Sequence, residues 1–234
     1  MGKIKIGAST LSVDQSMLAY EVGRAERGGV DFIHIDFIDG RFGPRVITVG
    51  LTAIERLTKH VKIPVRVHCY VADPHNTIDE YLEISCESIT VHVEASPFLY
   101  YIAQKVHEAG KKVGVALLPP TPPSSIEYIL NEIDLVEILG IDPIGLGGQS
   151  FIKSMLRKIK RVKEMMEDVG VDVEICVDGG VNKFTIHEIV GAGADSIVAG
   201  TAIYGADNIE EAVKELRRIS EEALKSRERA RRLS

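Results

Sequence analysis

Four polar side chains that could hold a metal ion stand in three otherwise apolar runs of the sequence. His34 and Asp36 lie in FIHIDFI, His68 lies in VRVHCY, and Asp178 ends VEICVD. Side chains two positions apart on a β-strand share a face, so His34 and Asp36 point the same way. Two imidazoles and two carboxylates suit Zn²⁺, Mn²⁺, Fe²⁺ or Co²⁺. The alternative is a hydrogen-bonded network without a metal. The sequence favours the metal, because burying two neighbouring carboxylates without a cation is costly.

The predicted chemistry of this set is proton transfer at carbon. Two carboxylates on opposite sides of a substrate can remove a proton from one face of a carbon atom and return one to the other face. A metal between them would stabilise the enediolate formed between those steps. The set therefore predicts proton abstraction next to a carbonyl group.

Eight short β-rich runs that alternate with amphipathic runs must position these side chains. Eight such units in 234 residues predict a single (β/α)₈ TIM barrel. The rival is a doubly wound sheet, but ASTLSVDQ after the first strand lacks its glycine fingerprint. The predicted strands span residues 4–9, 31–37, 65–70, 88–94, 112–118, 135–140, 173–179 and 196–201.

The alternation of side chains along these strands predicts which residues face the inside of the barrel. The β-branched residues should face the helices, which turns His34, Asp36 and His68 inward near the C-terminal mouth, where barrels carry their chemistry. The same rule turns Glu174 and Cys176 inward below Asp178.

Three glycine-rich loops follow the last three strands: DPIGLGGQSF, DGGVN and GTAIYG. Late loops with bare amides are where barrels commonly hold phosphate. The sequence therefore predicts a phosphorylated keto sugar, with its anionic end in the glycine loops and its carbonyl end on the metal.

Composition narrows the other possibilities. A net charge of -6 without a basic stripe argues against a nucleic-acid partner. No run is long enough to cross a membrane and the N-terminus does not resemble a signal peptide, so we expect a cytoplasmic protein. The three cysteines lack a C-x-x-C pair and are expected to be free thiols. The predicted domain spans residues 1–215, followed by a charged helical tail over 216–234.

The motifs IHIDFIDGRF, VHCYVADP, VHVE, PIGLGGQSF, VDGGVN and AGTAIYG, together with IGASTLSVD near the start, resemble those of the ribulose-phosphate 3-epimerase family. The resemblance runs from about Ile4 to Ala212. It implies a metal-dependent barrel of the ribulose-phosphate-binding type that inverts C3 of D-ribulose 5-phosphate to give D-xylulose 5-phosphate. Family members commonly form homo-oligomers, so the resemblance also implies self-association.

Carried over by position, the resemblance makes Asp36 and Asp178 the acid/base pair, with Asp36 the proton acceptor and Asp178 the donor in one direction. It makes His34, Asp36, His68 and Asp178 the ligands of one divalent metal ion. The residues expected to contact substrate or phosphate are Ser9, His68, Gly145, Leu146, Gly147, Gly148, Gly179, Gly180, Gly200 and Thr201, the last replacing a usual serine.

Some positions depart from the family pattern. Ile38, Tyr70 and Leu139 stand where methionines usually surround the reacting centre, and the loop 143–149 gains one residue. Tyr70 and Arg45 could suit another keto sugar phosphate, such as allulose 6-phosphate. A second alternative is a barrel that binds a sugar phosphate without turnover. A Schiff-base aldolase would need an inward lysine at the C-terminal end of a strand, which none of the predicted strands offers.

Overall fold

A computed structural model describes residues 3–43 and 46–233 of the chain. Eight parallel strands pair in sequence order and close into a barrel through the ladder between the first and last strands. The strands are β1 (Lys5–Ser9), β2 (Phe32–Ile38), β3 (Val65–Tyr70), β4 (Ser88–His92), β5 (Lys112–Leu117), β6 (Leu135–Leu139), β7 (Glu174–Asp178) and β8 (Ser196–Ala199). This confirms the predicted (β/α)₈ barrel.

Helices connect most of the strands. They are α1 (Leu18–Arg27), α2 (Leu51–Thr58), α3 (Pro74–Leu82), α4 (Leu99–Glu108), α5 (Met155–Val169), α6 (Ile186–Ala192), α7 (Thr201–Tyr204) and α8 (Ile209–Leu233). Between β5 and β6 the chain forms a 3₁₀ segment over Pro123–Glu132 in place of an α-helix. Prolines at 119, 120, 122 and 123 supply no backbone N–H, which disfavours an α-helix at the start of that segment.

The predicted alternation of the strands is confirmed. Ile33, Ile35, Val65 and Val67 belong to the core cluster that contains the apolar faces of the helices. Cys176 packs inside the barrel with Phe32, Leu135 and Val198 as a small buried residue. Helix packing thus fixes one face of each strand and leaves the other for the barrel interior.

The barrel floor is filled by an ionic cluster. Arg66 places its guanidinium 4.1 Å from the centre of the Phe32 ring and 2.6 Å from Glu174 Oε1. Lys5 Nζ lies 2.6 Å from Glu174 Oε2, and Arg66 Nε lies 2.9 Å from Glu87 Oε2. The predicted inward direction of Glu174 is therefore confirmed, and its role is to pair with the buried arginine.

We expect Glu174→Gln to destabilise the protein in a pH-dependent way. Burial alone would raise the pKa of Glu174, but hydrogen bonding and the charge of Arg66 lower it from 4.5 to about 2. That change corresponds to about 3 kcal/mol of folding free energy. Because the folded-state pKa is lowered, this contribution is complete above about pH 4.5 and disappears as the pH falls towards 2. The variant should therefore be less stable by about this amount at pH 7 and converge on the wild type in acid.

Denaturant unfolding of both proteins between pH 7 and 3 measures this difference in stability. Glu222→Gln is the control, since Glu222 pairs with Arg218 on an exposed surface of α8, where ion pairs contribute little. A stability gap that stays constant over the pH range would contradict the assignment.

The segment after residue 215 continues α8 without a break. Leu216, Ala223 and Leu224 are buried against the barrel. Arg227 Nη1 donates hydrogen bonds to the carbonyl oxygens of Val190 and Ala194. This segment therefore has one face packed on the barrel, and the division of the chain at residue 215 stays a prediction.

The three cysteines stand apart, on β3, just before β4 and on β7. Cys69, Cys86 and Cys176 are unpaired, as predicted, and burial raises the pKa of the Cys86 thiol to about 11. Among the described residues, no helix has both the length and the apolar character needed to cross a membrane.

Candidate functional site

The structure brings together the four side chains singled out as metal ligands. His34 and Asp36 lie on β2, His68 on β3 and Asp178 at the end of β7. One ligand atom from each can be chosen so that all lie within 4.8 Å of one another, and all four residues are buried. Asp36 pairs in register with His68 on the neighbouring strand, which explains the closeness of that pair.

The two imidazoles face the carboxylates through defined nitrogen atoms. His34 Nε2 lies 3.4 Å from Asp36 Oδ1 and 3.7 Å from Asp178 Oδ2. His68 Nδ1 lies 4.0 Å from Asp36 Oδ1 and 3.9 Å from Asp178 Oδ2. Neither nitrogen has a hydrogen-bond partner, although each is fully buried. Buried polar atoms without partners are rare in folded proteins, so this pattern fits a site built around a cation.

A hydrogen-bonded chain holds His68 from behind. Its Nε2 lies 2.9 Å from His92 Nε2, and His92 Nδ1 lies 3.3 Å from Glu94 Oε2. Glu94 accepts a further hydrogen bond from the backbone N–H of Leu118. Since burial lowers the pKa of His92 to about 4 and a carboxylate only accepts, His92 carries its proton on Nδ1 and accepts from His68 Nε2. Nδ1 of His68 is therefore the ring nitrogen that points at the cluster, where a ligand atom is needed.

Sequence reasoning missed one residue of this centre. Glu137 on β6 is buried and faces the barrel interior. Its Oε1 lies 2.7 Å from His68 Nδ1 and 3.5 Å from His34 Nε2. The signal was present in the sequence, because a charged residue in the middle of the apolar strand LVEIL stands at the inward parity.

Burial and the charges of neighbouring side chains shift the pKa values within the cluster. Burial alone would lower the pKa of His34, but Glu137 and Asp36 outweigh it and raise this pKa to about 10. Burial, reinforced by Asp36 and Glu137, raises the pKa of Asp178 to about 7. Each carboxylate thus raises the pKa of its neighbours, which is the electrostatic cost of placing several acids in one buried site.

Ser9 orients the other carboxylate. Its hydroxyl donates a 2.7 Å hydrogen bond to Asp36 Oδ2 and accepts one from the backbone N–H of Leu11. Ser9 ends β1 and pairs in register with His34, which places it beside the cluster. It also lines the cavity above the cluster, as expected of a substrate-contacting residue.

A cavity of about 490 Å³, within the size range of small-ligand sites, opens beside Asp178, whereas Asp36 does not line it. Asp178 and Tyr70 line it, as do all but two of the residues predicted to contact substrate or phosphate. The exceptions are His68, which is fully buried, and Leu146, which is about half exposed; neither lines the cavity. The predicted residues in the lining are Ser9, Gly145, Gly147, Gly148, Gly179, Gly180, Gly200 and Thr201.

Close packing explains why a glycine stands at position 180. Its φ of +71° is disfavoured for residues with a side chain, and an added Cβ would come within 2.6 Å of the Phe151 backbone. The absence of a side chain therefore lets the loop after β7 pack closely against Phe151, while Gly179 and Gly180 line the cavity. Asn182 and Lys183, which follow in the same loop, also line the cavity and were not predicted.

The positions that depart from the family pattern form one apolar group. Ile38, Tyr70 and Leu139 cluster with Ala116 and Ile144. The centre of the Tyr70 ring lies 4.1 Å from that of the His68 ring, with the two planes tilted by 35°. Burial together with the nearby carboxylates raises the pKa of the Tyr70 hydroxyl well above the usual value. Arg45, named with Tyr70 as a residue that could change substrate choice, lies outside the described residues.

Comparisons with known proteins agree with the geometry. The sequence model described as the ribulose-phosphate 3 epimerase family matches residues 5–204. A protein of Methanocaldococcus jannaschii named ribulose-phosphate 3-epimerase is 42% identical over 94% of this chain and 93% of its own length. A protein of Bacillus subtilis with the same name is 41% identical over 92% of this chain and 98% of its own length.

Solved structures share the fold at lower identity. The protein described as KGPDC from Streptococcus mutans superposes with a TM-score of 0.75 at 15% identity, covering 94% of this chain and 98% of that one. A 3-hexulose-6-phosphate synthase superposes with a TM-score of 0.65 at 24% identity, over 93% of this chain and 99% of that one. These similarities support the barrel architecture alone.

Proposed function

Since the chain belongs to the ribulose-phosphate 3-epimerase family, an isomerase family, we propose that it interconverts D-ribulose 5-phosphate and D-xylulose 5-phosphate by inversion at C3. The observation that carries the proposal is the convergence of Asp36 and Asp178 with two unpartnered imidazoles below a cavity of ligand size. Binding alone has no need of two carboxylates in such a cluster. This argues against the alternative of a barrel that binds a sugar phosphate without turnover.

Asp36 and Asp178 carry the proton transfers in this proposal. One carboxylate removes the C3 proton from one face of the sugar, and the other delivers a proton to the opposite face. The Ser9 hydrogen bond orients Asp36 as the acceptor, and Asp178, which lines the cavity, is placed to donate. In the reverse direction the two roles exchange.

His34, Asp36, His68 and Asp178 are the residues that would hold a divalent ion. Such an ion, when bound, supplies Lewis-acid stabilisation of negative charge that develops on the sugar oxygens. His92 and Glu94 would fix the tautomer and orientation of His68 for this purpose.

The glycine loops would hold the phosphate of the substrate. Gly147, Gly148, Gly180 and Gly200 line the cavity together with the Thr201 hydroxyl. Their backbone can approach an anion closely because it carries no side chains. Lys183 in the same lining adds a positive charge.

The test of the proposal is proton NMR in D₂O with D-ribulose 5-phosphate. The protein is stripped of metal, and Zn²⁺, Mn²⁺, Co²⁺ and Fe²⁺ are restored in separate samples. We expect metal-dependent formation of xylulose 5-phosphate that carries deuterium at C3, because the acid returns a solvent-derived proton. Protein that is left metal-free is the control.

Parallel samples with D-allulose 6-phosphate address the six-carbon alternative. A much faster reaction with this substrate would replace the five-carbon assignment. No product and no exchange with either sugar under any metal would contradict the epimerase proposal. The expected cytoplasmic location and homo-oligomeric assembly stay predictions.

A further inference from the structure

We propose that Glu137 is a fifth protein ligand of the divalent-metal centre, in addition to the two histidines and two aspartates; the inference rests on the proposed presence of that centre. Glu137 lies one layer deeper in the barrel than Asp178, because Leu139 pairs in register with Asp178 and Glu137 pairs with Cys176. It would therefore approach the ion from the barrel floor, whereas Asp178 approaches it from the mouth.

The Glu137 carboxylate lies beside the ligand nitrogens of both histidines. Oxygen and nitrogen ligands stand about 2.0–2.2 Å from ions such as Zn²⁺, so two ligand atoms on one ion lie about 3 to 3.5 Å apart. Glu137 Oε1 is 2.7 Å from His68 Nδ1 and 3.5 Å from His34 Nε2. Asp178 Oδ2, a member of the predicted ligand set, is farther from both nitrogens, at 3.9 and 3.7 Å. Glu137 thus lies closer to the histidine ligand atoms than Asp178 does: its distance to His34 Nε2 is within the ligand range and its distance to His68 Nδ1 is slightly below it. It stands outside the set of four residues whose ligand atoms all lie within 4.8 Å of one another, so it is a ligand additional to that set.

Hydrogen bonding does not account for this arrangement. Glu137 Oε1, His68 Nδ1 and His34 Nε2 are all buried without a hydrogen-bond partner. The chain through His92 and Glu94 engages Nε2 of His68, which leaves Nδ1 as the ring nitrogen that faces Glu137. A cation beside both atoms would satisfy Nδ1 and Oε1 together, and buried polar atoms without a partner are otherwise costly.

The added carboxylate also bears on which ion is preferred. Three carboxylates and two imidazoles form an oxygen-rich set with five members, whereas Zn²⁺ favours four ligands and Mn²⁺ accepts more oxygen ligands. Glu137 should therefore favour ions that accept five or six ligands. Its removal should weaken Mn²⁺ binding more than Zn²⁺ binding.

Titration of the metal-depleted protein with Co²⁺ tests the proposal through visible absorption and affinity, without reliance on turnover. We expect Glu137→Leu to lower Co²⁺ affinity by about 100-fold, the upper end of the range found when partners of ligating histidines are removed. The visible bands should also intensify, because Co²⁺ absorbs more strongly as its coordination number falls. Glu137→Gln preserves the shape of the side chain but offers a weaker ligand atom, so its Co²⁺ affinity should fall between those of the wild type and Glu137→Leu. This variant carries the test if Glu137→Leu does not fold.

Glu174→Gln is the matched control. Glu174 is also a glutamate that faces the barrel interior, but it contacts Arg66 and Lys5 instead of the histidines. This variant should bind Co²⁺ with wild-type affinity and spectrum. Parallel titrations with Mn²⁺ and Zn²⁺ should show a larger loss for Mn²⁺ in the Glu137 variants only.

Three outcomes would overturn the proposal, and they differ in meaning. Unchanged affinity and spectrum in both Glu137 variants, with binding lost in His34→Ala, would leave a four-ligand centre. Lower affinity with an unchanged spectrum would make Glu137 a positioning residue for His68. Absence of Co²⁺ uptake by the wild-type protein would remove the metal centre itself, and with it this part of the proposed function.

Discussion

Replacement of Asp178 by asparagine should reduce epimerisation by about 1,000-fold or more while the barrel and much of the metal binding persist. An amide cannot donate or accept the proton that inversion requires, but its oxygen can still contact a cation. Asp178 ends β7 and lines the cavity, so the change of one oxygen to nitrogen leaves the packing of the strand intact. The measurement is the initial rate of xylulose 5-phosphate formation, with circular dichroism and metal content as checks on the fold and the centre.

Isotope exchange makes this prediction sharper. Asp36 is intact in the variant, so the epimer whose C3 proton faces Asp36 should still exchange that proton with D₂O without inverting. The other epimer should not exchange. Asp36→Asn is the matched control and should give the opposite pattern. Wild-type epimerase activity in Asp178→Asn would remove Asp178 from its assigned role.

Loss of either histidine should largely empty the metal centre. We expect His34→Ala or His68→Ala to weaken binding of a divalent ion by more than about 100-fold, because removal of a ligand should exceed the cost of removing its partner. Each change also leaves buried carboxylates without a facing imidazole, since the two histidine rings lie against Asp36, Asp178 and Glu137 in the metal-free cluster. Metal content after dialysis, measured by elemental analysis, is the readout.

His60→Ala is the control for this experiment. His60 is exposed between α2 and β3, before the start of β3 and so at the opposite end of that strand from the mouth of the barrel. Its removal should leave metal content at the wild-type level. Full occupancy in both His34→Ala and His68→Ala would contradict the proposed ligand set.

Much of the architecture could be predicted from the alternation of inward and outward side chains along the strands. Eight β-rich runs with β-branched residues on one face predict strands buried on both sides, and their parity predicts that His34, Asp36, His68 and Asp178 share the interior. The structure agrees with this prediction because the helices that cover the barrel bury the outer face of the strands. Ile33 on β2 and Val67 on β3 are examples of residues on that face. The convergence of the four residues then follows from closure of the sheet.

The remaining features depend on information that a short pattern does not carry. The same parity rule could have identified Glu137, but a single charge inside LVEIL looks like an exception until the closed barrel brings it to His34 on β2 and His68 on β3. Lys183 and Asn182 reach the cavity through an irregular loop, and irregular loops have no period from which side-chain directions can be predicted. The segment after β5 is a 3₁₀ helix because of its prolines, and an amphipathic pattern alone does not distinguish a 3₁₀ helix from an α-helix.

The ladder between β1 and β8 has a consequence for the order of folding. It joins Lys5 to Ser196, strands from opposite ends of the barrel sequence, so its closure costs more chain entropy than any ladder between consecutive strands. In an open sheet β7 would lie five strands away from β2, and Asp178 could not reach His34. Tight uptake of a divalent ion during refolding should thus accompany closure of the barrel and lag behind the collapse that forms its helices.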